Sequence, residues 1–138
     1  PLRLVGSEMC IRDRTLNSAF YYYGLTDTIP DHYYVATPKS NRKIEDVRVK
    51  QIYENSNAFE MGKTTIEYDG VDLTIYNEER LLIELIRNKR KFSFDLYKEI
   101  ISNYRKLIHK MDMTQIMEYA YELPKTNMVM ETIRLEIL

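Results

Sequence analysis

Four carboxylates, Glu60, Glu67, Asp69 and Asp72, lie on or beside segments that read as strands. Carboxylates that converge at strand ends with a lysine beside them can hold the divalent ion of a nuclease or nucleotidyltransferase. None of these four has a lysine two positions later. The histidines, His32 and His109, have no second histidine, cysteine or carboxylate pair at ligand spacing. The glycines Gly6, Gly24, Gly62 and Gly70 stand alone, so no glycine-rich loop is present to cradle a phosphate. No catalytic residue, metal ligand or cofactor is therefore expected. A degenerate or cryptic enzyme of the nuclease or nucleotidyltransferase type remains the alternative, and it would depend on Glu67 or Asp69.

Two other groups of residues suit binding. In PKSNRKIEDVRVK, the cations Lys39, Arg42, Lys43, Arg48 and Lys50 stand against only Glu45 and Asp46. This reads as an exposed basic loop able to face a DNA backbone or another anionic partner, and equally as a solvated charge run. Met111, Met113, Met117, Met128 and Met130 fall in the last helical segments. Methionine fills irregular core gaps and also serves adaptable partner surfaces. Both uses are open here, and Met113, Met117, Met128 and Met130 are the candidate partner surface.

Residues 1 to 14 raise a different question. The stretch LVGSEMCIRDR, read back into codons, matches a transposon-type sequencing adapter followed by its mosaic end. A translated adapter is not native sequence and is set aside from fold reasoning. Residues 1–14 are expected to be such an artefact, to make few contacts with the core, and to stand where earlier native sequence was lost. Without Arg3, Arg12, Arg14, Glu8 and Asp13, the remaining segment has 17 basic and 19 acidic residues, and it loses Cys10, the one cysteine. That balance signals no polyanion-binding protein overall, and the lack of cysteine removes disulfides and thiolate chemistry.

The elements that must position these groups follow from periodicity. Residues 15–138 are long enough for one domain with a real core. Leu16, Ala19, Phe20 and Tyr23 have helical spacing, predicting the end of a helix that starts upstream and stops at Gly24. HYYVAT, residues 32–37, reads as a strand between Pro30 and Pro38. From Val49 to Tyr76 the pattern alternates through VKQIYE, AFEMG, TTIEYD and VDLTIY, with Asp69-Gly70 as a hairpin turn. An antiparallel meander of four to five strands is expected.

The period then changes to that of helices. Asn77 caps a helix over 78–90, Ser93 a second, Asp112 or Met113 opens a third that ends at Pro124, and Thr126 with Asn127 opens a fourth. Strands followed by about four helices predict an α+β domain. No apolar run approaches the roughly 20 residues that cross a bilayer, so a soluble cytoplasmic protein is expected.

Three segments carry a resemblance. LNSAFYYYGLTDTIP, then YYVATPKSNRK, then VDLTIYNEERLLIELIR resemble the AbiEi abortive-infection antitoxins, also described as predicted transcriptional regulators of viral defence. In that family the helix after the hairpin opens with Tyr-Ser-Pro-Glu-Arg-Thr-Leu-Ile-Asp. Here Tyr76-Asn77-Glu78-Glu79-Arg80-Leu81-Leu82-Ile83-Glu84 corresponds, with Asn for Ser, Glu for Pro and Glu for Asp. Asn caps as well as Ser, and Pro in the first turn is favoured without being required.

The resemblance implies the C-terminal domain of a non-enzymatic antitoxin from a type IV toxin–antitoxin pair. Its partner would be a nucleotidyltransferase-like toxin, and operator DNA would be bound by an N-terminal winged helix, absent from residues 15–138. A further alternative is a dimerisation domain of a DNA-binding regulator. Arg80 is expected to tie the helix start to a neighbouring carboxylate. If the cations from Lys39 to Lys50 meet phosphate, affinity for duplex DNA falls steeply as salt rises, because counterions are released on binding. A gel-shift titration insensitive to salt would remove DNA as a ligand of this loop.

Overall fold

The computed structural model describes residues 13–138. The described residues form an α+β domain with a five-stranded mixed sheet and six α-helices. The strands are β1 (Asp13–Arg14), β2 (Tyr33–Pro38), β3 (Val49–Glu54), β4 (Lys63–Tyr68) and β5 (Val71–Tyr76). The helices are α1 (Leu16–Tyr22), α2 (Ser56–Glu60), α3 (Glu78–Arg87), α4 (Phe94–Leu107), α5 (Met113–Glu122) and α6 (Thr126–Thr132). A π-helical turn, Ile133–Ile137, continues α6.

The strand order β3-β2-β1-β5-β4 differs from a meander. The hairpin at Asp69-Gly70 is antiparallel as expected, with Tyr68 opposite Val71, and Gly70 takes φ +79. β2 and β3, however, are parallel neighbours, with Tyr33 opposite Val49 and Pro38 opposite Glu54. Alternation reports which face a residue occupies and says nothing about strand direction, so the pattern could not separate the two arrangements.

A parallel neighbour requires the chain to return along the length of the strand. The residues between Pro38 and Val49, read from sequence as a basic loop, are that return. Gln51 holds it in place: its Nε2 donates to Thr37 Oγ1 (2.8 Å) and to the Arg42 carbonyl (3.1 Å), while its Oε1 accepts from the Ile44 amide (2.7 Å). Ile44 packs with Tyr33, Val35 and Val49 in a small apolar cluster apart from the main core. The loop therefore covers part of the sheet as well as displaying charge.

Two further expectations are corrected. AFEMG does not form a strand, because Ser56–Glu60 is a short helix and Gly62, at φ +81, turns the chain into β4. The first helix does not start upstream, since Thr15 is its N-cap and Asp13–Arg14 precedes it as β1. This strand lies between β2 (antiparallel) and β5 (parallel) at the centre of the sheet. Arg14 is fully buried, and Lys63 Nζ lies 3.0 Å from Asp13 Oδ2. For these two residues the expectation of few core contacts fails. Sheet ladders are made by main-chain groups, which nearly any residue supplies. Leu4, Val5 and Ile11, on which that expectation also bore, lie outside the described residues.

Four helices follow the sheet as expected, and α3 is the central one. Asn77 Oδ1 accepts from the Arg80 amide (2.8 Å), Ser93 Oγ from Leu96 (3.2 Å) and Asp112 Oδ1 from Gln115 (3.1 Å), so these three caps are formed, while α6 starts at Thr126 as expected but has Lys125 at its N-cap and no side-chain cap bond. In α3 every residue from Arg80 to Ile86 is buried. A helix buried all round belongs to the interior of a domain. Tyrosines satisfy the carbonyls around its start: Tyr23 donates to Tyr76 (2.8 Å), Tyr76 to Phe59 (2.8 Å) and Tyr104 to Glu78 (3.0 Å). Burial holds the Tyr104 hydroxyl far above its usual pKa, so it stays protonated and able to donate.

The corner from β5 into α3 packs directly on Gly62. Its carbonyl accepts from the Asn77 amide (2.7 Å), and a Cβ there would lie 2.8 Å from Arg80 Cβ. Gly62→Ala combines a left-handed backbone cost with overpacking, and should destabilise the fold by about 3 kcal/mol. Gly24→Ala, with open space around it, should cost only about 1 kcal/mol from backbone conformation. Urea denaturation of the two variants measures the difference.

Candidate functional site

Arg80 ties the start of α3 to carboxylates, as its position in the sequence suggested, and it does more. Its side chain is fully buried; Nε donates to Glu84 Oε2 (3.0 Å) and Nη2 to Glu54 Oε2 (3.3 Å). Nη1 donates to the carbonyls of Ala58 and Met61, the latter at 2.8 Å. The guanidinium also lies 4.4 Å from the centroid of the Tyr76 ring. Four of its five N–H groups are thus engaged by the protein, so Arg80 is a structural tie.

Glu84 is shared with Arg87 Nη1 (2.8 Å) and Asn88 Nδ2 (3.3 Å). Burial raises the Glu54 pKa and nearby Glu84 adds to the rise, while Arg80, Arg87 and Lys91 oppose it.

The five cations of the basic loop, Lys39, Arg42, Lys43, Arg48 and Lys50, are all exposed. Arg48 is paired: its Nη2 lies 2.7 Å from Asp46 Oδ2, and that bond holds the Asp46 carboxyl down at about 2. The Lys39 amide donates to the Glu54 carbonyl (2.9 Å), placing the start of the return segment beside the end of β3. The five are strung along this return.

The carboxylates weighed for catalysis are dispersed. Glu60 accepts from Lys63 (3.3 Å), Glu67 stands opposite Asp72 on exposed positions of the hairpin, and Asp69 is in the turn. Among the described residues, no group of three or more His, Cys, Asp or Glu side chains could hold a metal ion. His32 lies 3.1 Å from Asp31, and His109 is exposed in a 3-10 turn after α4. Among the described residues, no helix is long and apolar enough to cross a membrane.

The chain matches no family model and no curated protein.

The methionines are divided by α6. Met113, Met117 and Met130 line one open groove of about 650 Å³ with Asn127, Glu131, Ile133, Arg134 and Leu138. Its exposed wall is mostly hydrocarbon. Met113 and Met130 also pack on the core, so the two readings of these residues coexist. Met128 lines a separate cleft, apart from the other three candidates.

That second cleft was not found from sequence. It has a volume of about 700 Å³ and is lined by Arg87, Asn88, Lys89, Arg90, Lys91 and Lys125, with Ile86 and Met128 as apolar wall. Sequence alone carries the helix over 78–90, but α3 ends at Arg87 and Lys89–Lys91 forms a separate 3-10 turn, so RNKRK, four cations in five residues, marks the end of the helix. Lys125 lies beyond α4 and α5 in the sequence, a proximity that no local pattern contains.

Arg80→Leu should cost about 3–5 kcal/mol in urea denaturation, because it leaves buried Glu84 and Glu54 without their shared cation. The companion Glu54→Gln tests linkage. A carboxylate whose folded pKa is raised binds its proton more tightly in the native state. It contributes stability at low pH, and this is lost as pH rises from its ordinary value of 4.5 through the raised one. Glu54→Gln should flatten that part of the stability profile and leave the alkaline limb unchanged.

Proposed function

We propose that this chain is the interaction domain of an AbiEi-like antitoxin, which neutralises a nucleotidyltransferase-like toxin without catalysis. The observation that carries the reading is that the three segments of resemblance each form a joint of the fold. The first forms α1 and a linker clamped onto α4, where Thr26 donates to Glu99 (2.6 Å) and Asn103 to the Leu25 carbonyl (2.8 Å). The second forms β2 and the start of the strapped basic return. The third forms β5 and α3, with Arg80 closing the joint.

Partner contact is assigned to the methionine groove. An open apolar surface lined by flexible side chains can adapt to a protein face at small conformational cost. Repression of the operon belongs, on this reading, to a winged helix that precedes the domain in the family, with Lys39, Arg42, Lys43, Arg48 and Lys50 adding an anion-facing edge. The setting is cytoplasmic, where such a toxin acts.

Growth rescue tests the proposal. Co-expressed with the nucleotidyltransferase-like protein encoded beside its gene, the chain should restore colony counts by at least about tenfold. Met117→Glu, on the groove and off the core, should abolish rescue while leaving the circular dichroism spectrum intact, since a charge buried at a contact is strongly unfavourable. A folded wild-type chain that gives no rescue would sink the reading. So would metal-dependent cleavage of nucleic acid that is lost in Glu67→Gln or Asp69→Asn.

A further inference from the structure

The cleft between the end of α3 and the start of α6 is a second site, independent of the toxin-binding reading. We propose that it binds a nucleoside polyphosphate, with the phosphates on its cations and the base on its apolar wall.

Charge is the first argument. The whole chain has 20 basic and 21 acidic residues, yet Arg87, Lys89, Arg90, Lys91 and Lys125 line this one concavity and, among the described residues, no carboxylate does. Like charges crowded into a cleft repel one another and raise the local concentration of anions. The acids near it are partly committed. Glu84 lies 2.8 Å from Arg87, and Glu136 lies 3.8 Å from Lys89, which also sits over the Tyr97 ring. Glu54 is within electrostatic reach of Arg87 and Lys91. Arg90, Lys91 and Lys125 remain exposed to solvent, and Arg87 Nε is buried without a hydrogen-bond partner among the described residues.

Shape is the second. A volume of about 700 Å³ falls in the range of roughly 300–1,000 Å³ typical of small-molecule sites, enough for one nucleotide. The exposed walls are more hydrocarbon than polar, supplied by the 39%-exposed Met128 and the alkyl stems of the cations, with Ile86 buried beneath them. A thioether and a guanidinium both pack well on a flat unsaturated ring. Phosphate alone would have no use for that wall.

Lys125 adds a third observation. It holds a left-handed backbone (φ +68, ψ 34) that a lysine adopts only at some cost, and that glycine adopts freely. The conformation brings a cation into the cleft from the second segment.

The test is fluorescence and calorimetric titration of the full chain with ATP, ADP, inorganic triphosphate and a short single-stranded oligonucleotide, at physiological salt. ATP and ADP should bind with Kd below about 1 mM, and ATP roughly tenfold tighter than inorganic triphosphate. Arg90→Ala and Lys91→Ala should each weaken ATP about tenfold, as loss of a charge-assisted contact does. Arg42→Ala and Lys43→Ala, on the basic return, should change nothing. Lys125→Gly separates binding from folding: Tm should hold or rise while ATP affinity falls. Equal binding of inorganic triphosphate and ATP would overturn the proposal. So would preference for the oligonucleotide with no ATP binding, an absence of binding throughout, or a Lys125→Gly variant that binds as wild type. Failure of growth rescue leaves these outcomes unaffected, so the two proposals fall separately.

Discussion

A helix buried on every side cannot carry charged residues unless the protein itself answers them, and that constraint organises this fold. In α3 the sequence EERLLIELIR places Arg80 and Glu84 one turn apart, so they face each other along the helix and form an ion pair in the interior. The remaining donors of the guanidinium then need acceptors. They find them in Glu54 at the end of β3 and in the carbonyls of Ala58 and Met61, which flank the end of α2. One side chain thus fixes the sheet edge, the short helix and the central helix relative to one another. Gly62 is the steric counterpart, because only a residue without a Cβ lets the α2–β4 corner approach Arg80 so closely.

The same economy governs the basic return. Parallel pairing of β2 and β3 requires a connection that runs back along the sheet, and a polar connection over an apolar face needs an anchor. Ile44 supplies apolar contact and Gln51 supplies three hydrogen bonds, so a segment rich in cations is ordered by neutral groups, and Arg48 pairs with Asp46 within the segment itself. The positive edge of the molecule is a by-product of topology that a partner could use.

At the opposite end, α6 acts as a partition. Its contacts with α3 and α5 seat it on the core, with Val129 fully buried. One side of the helix presents Met130 to the hydrocarbon groove, while Met128 turns to the cationic cleft. Two surfaces of different chemistry are therefore held at a fixed separation by a single short helix. A protein partner and a small anion need not compete for the same residues.

The α+β class, the Asp69-Gly70 hairpin, the three helix caps and the four helices after the sheet were all legible in the residues, because each depends on local spacing or on a side chain reaching its own main chain. Arg80 was legible as a helix-start tie, since its i,i+4 partner is written into the same helix. The direction of β3, the helix at Ser56–Glu60 and the central position of Asp13–Arg14 were not, because alternation encodes faces and leaves direction and neighbours open. The four candidate methionines were grouped by sequence proximity and divided by helix geometry, Met128 from the other three. The cationic cleft was half visible in RNKRK and completed only by Lys125. By itself the sequence determined the hairpin turn and the starts of the helices that follow the sheet, which depend on local spacing; tertiary structure alone decided strand direction, the burial of Arg14 and which distant charges share a surface, because these depend on how packed elements converge and not on any repeat along the chain.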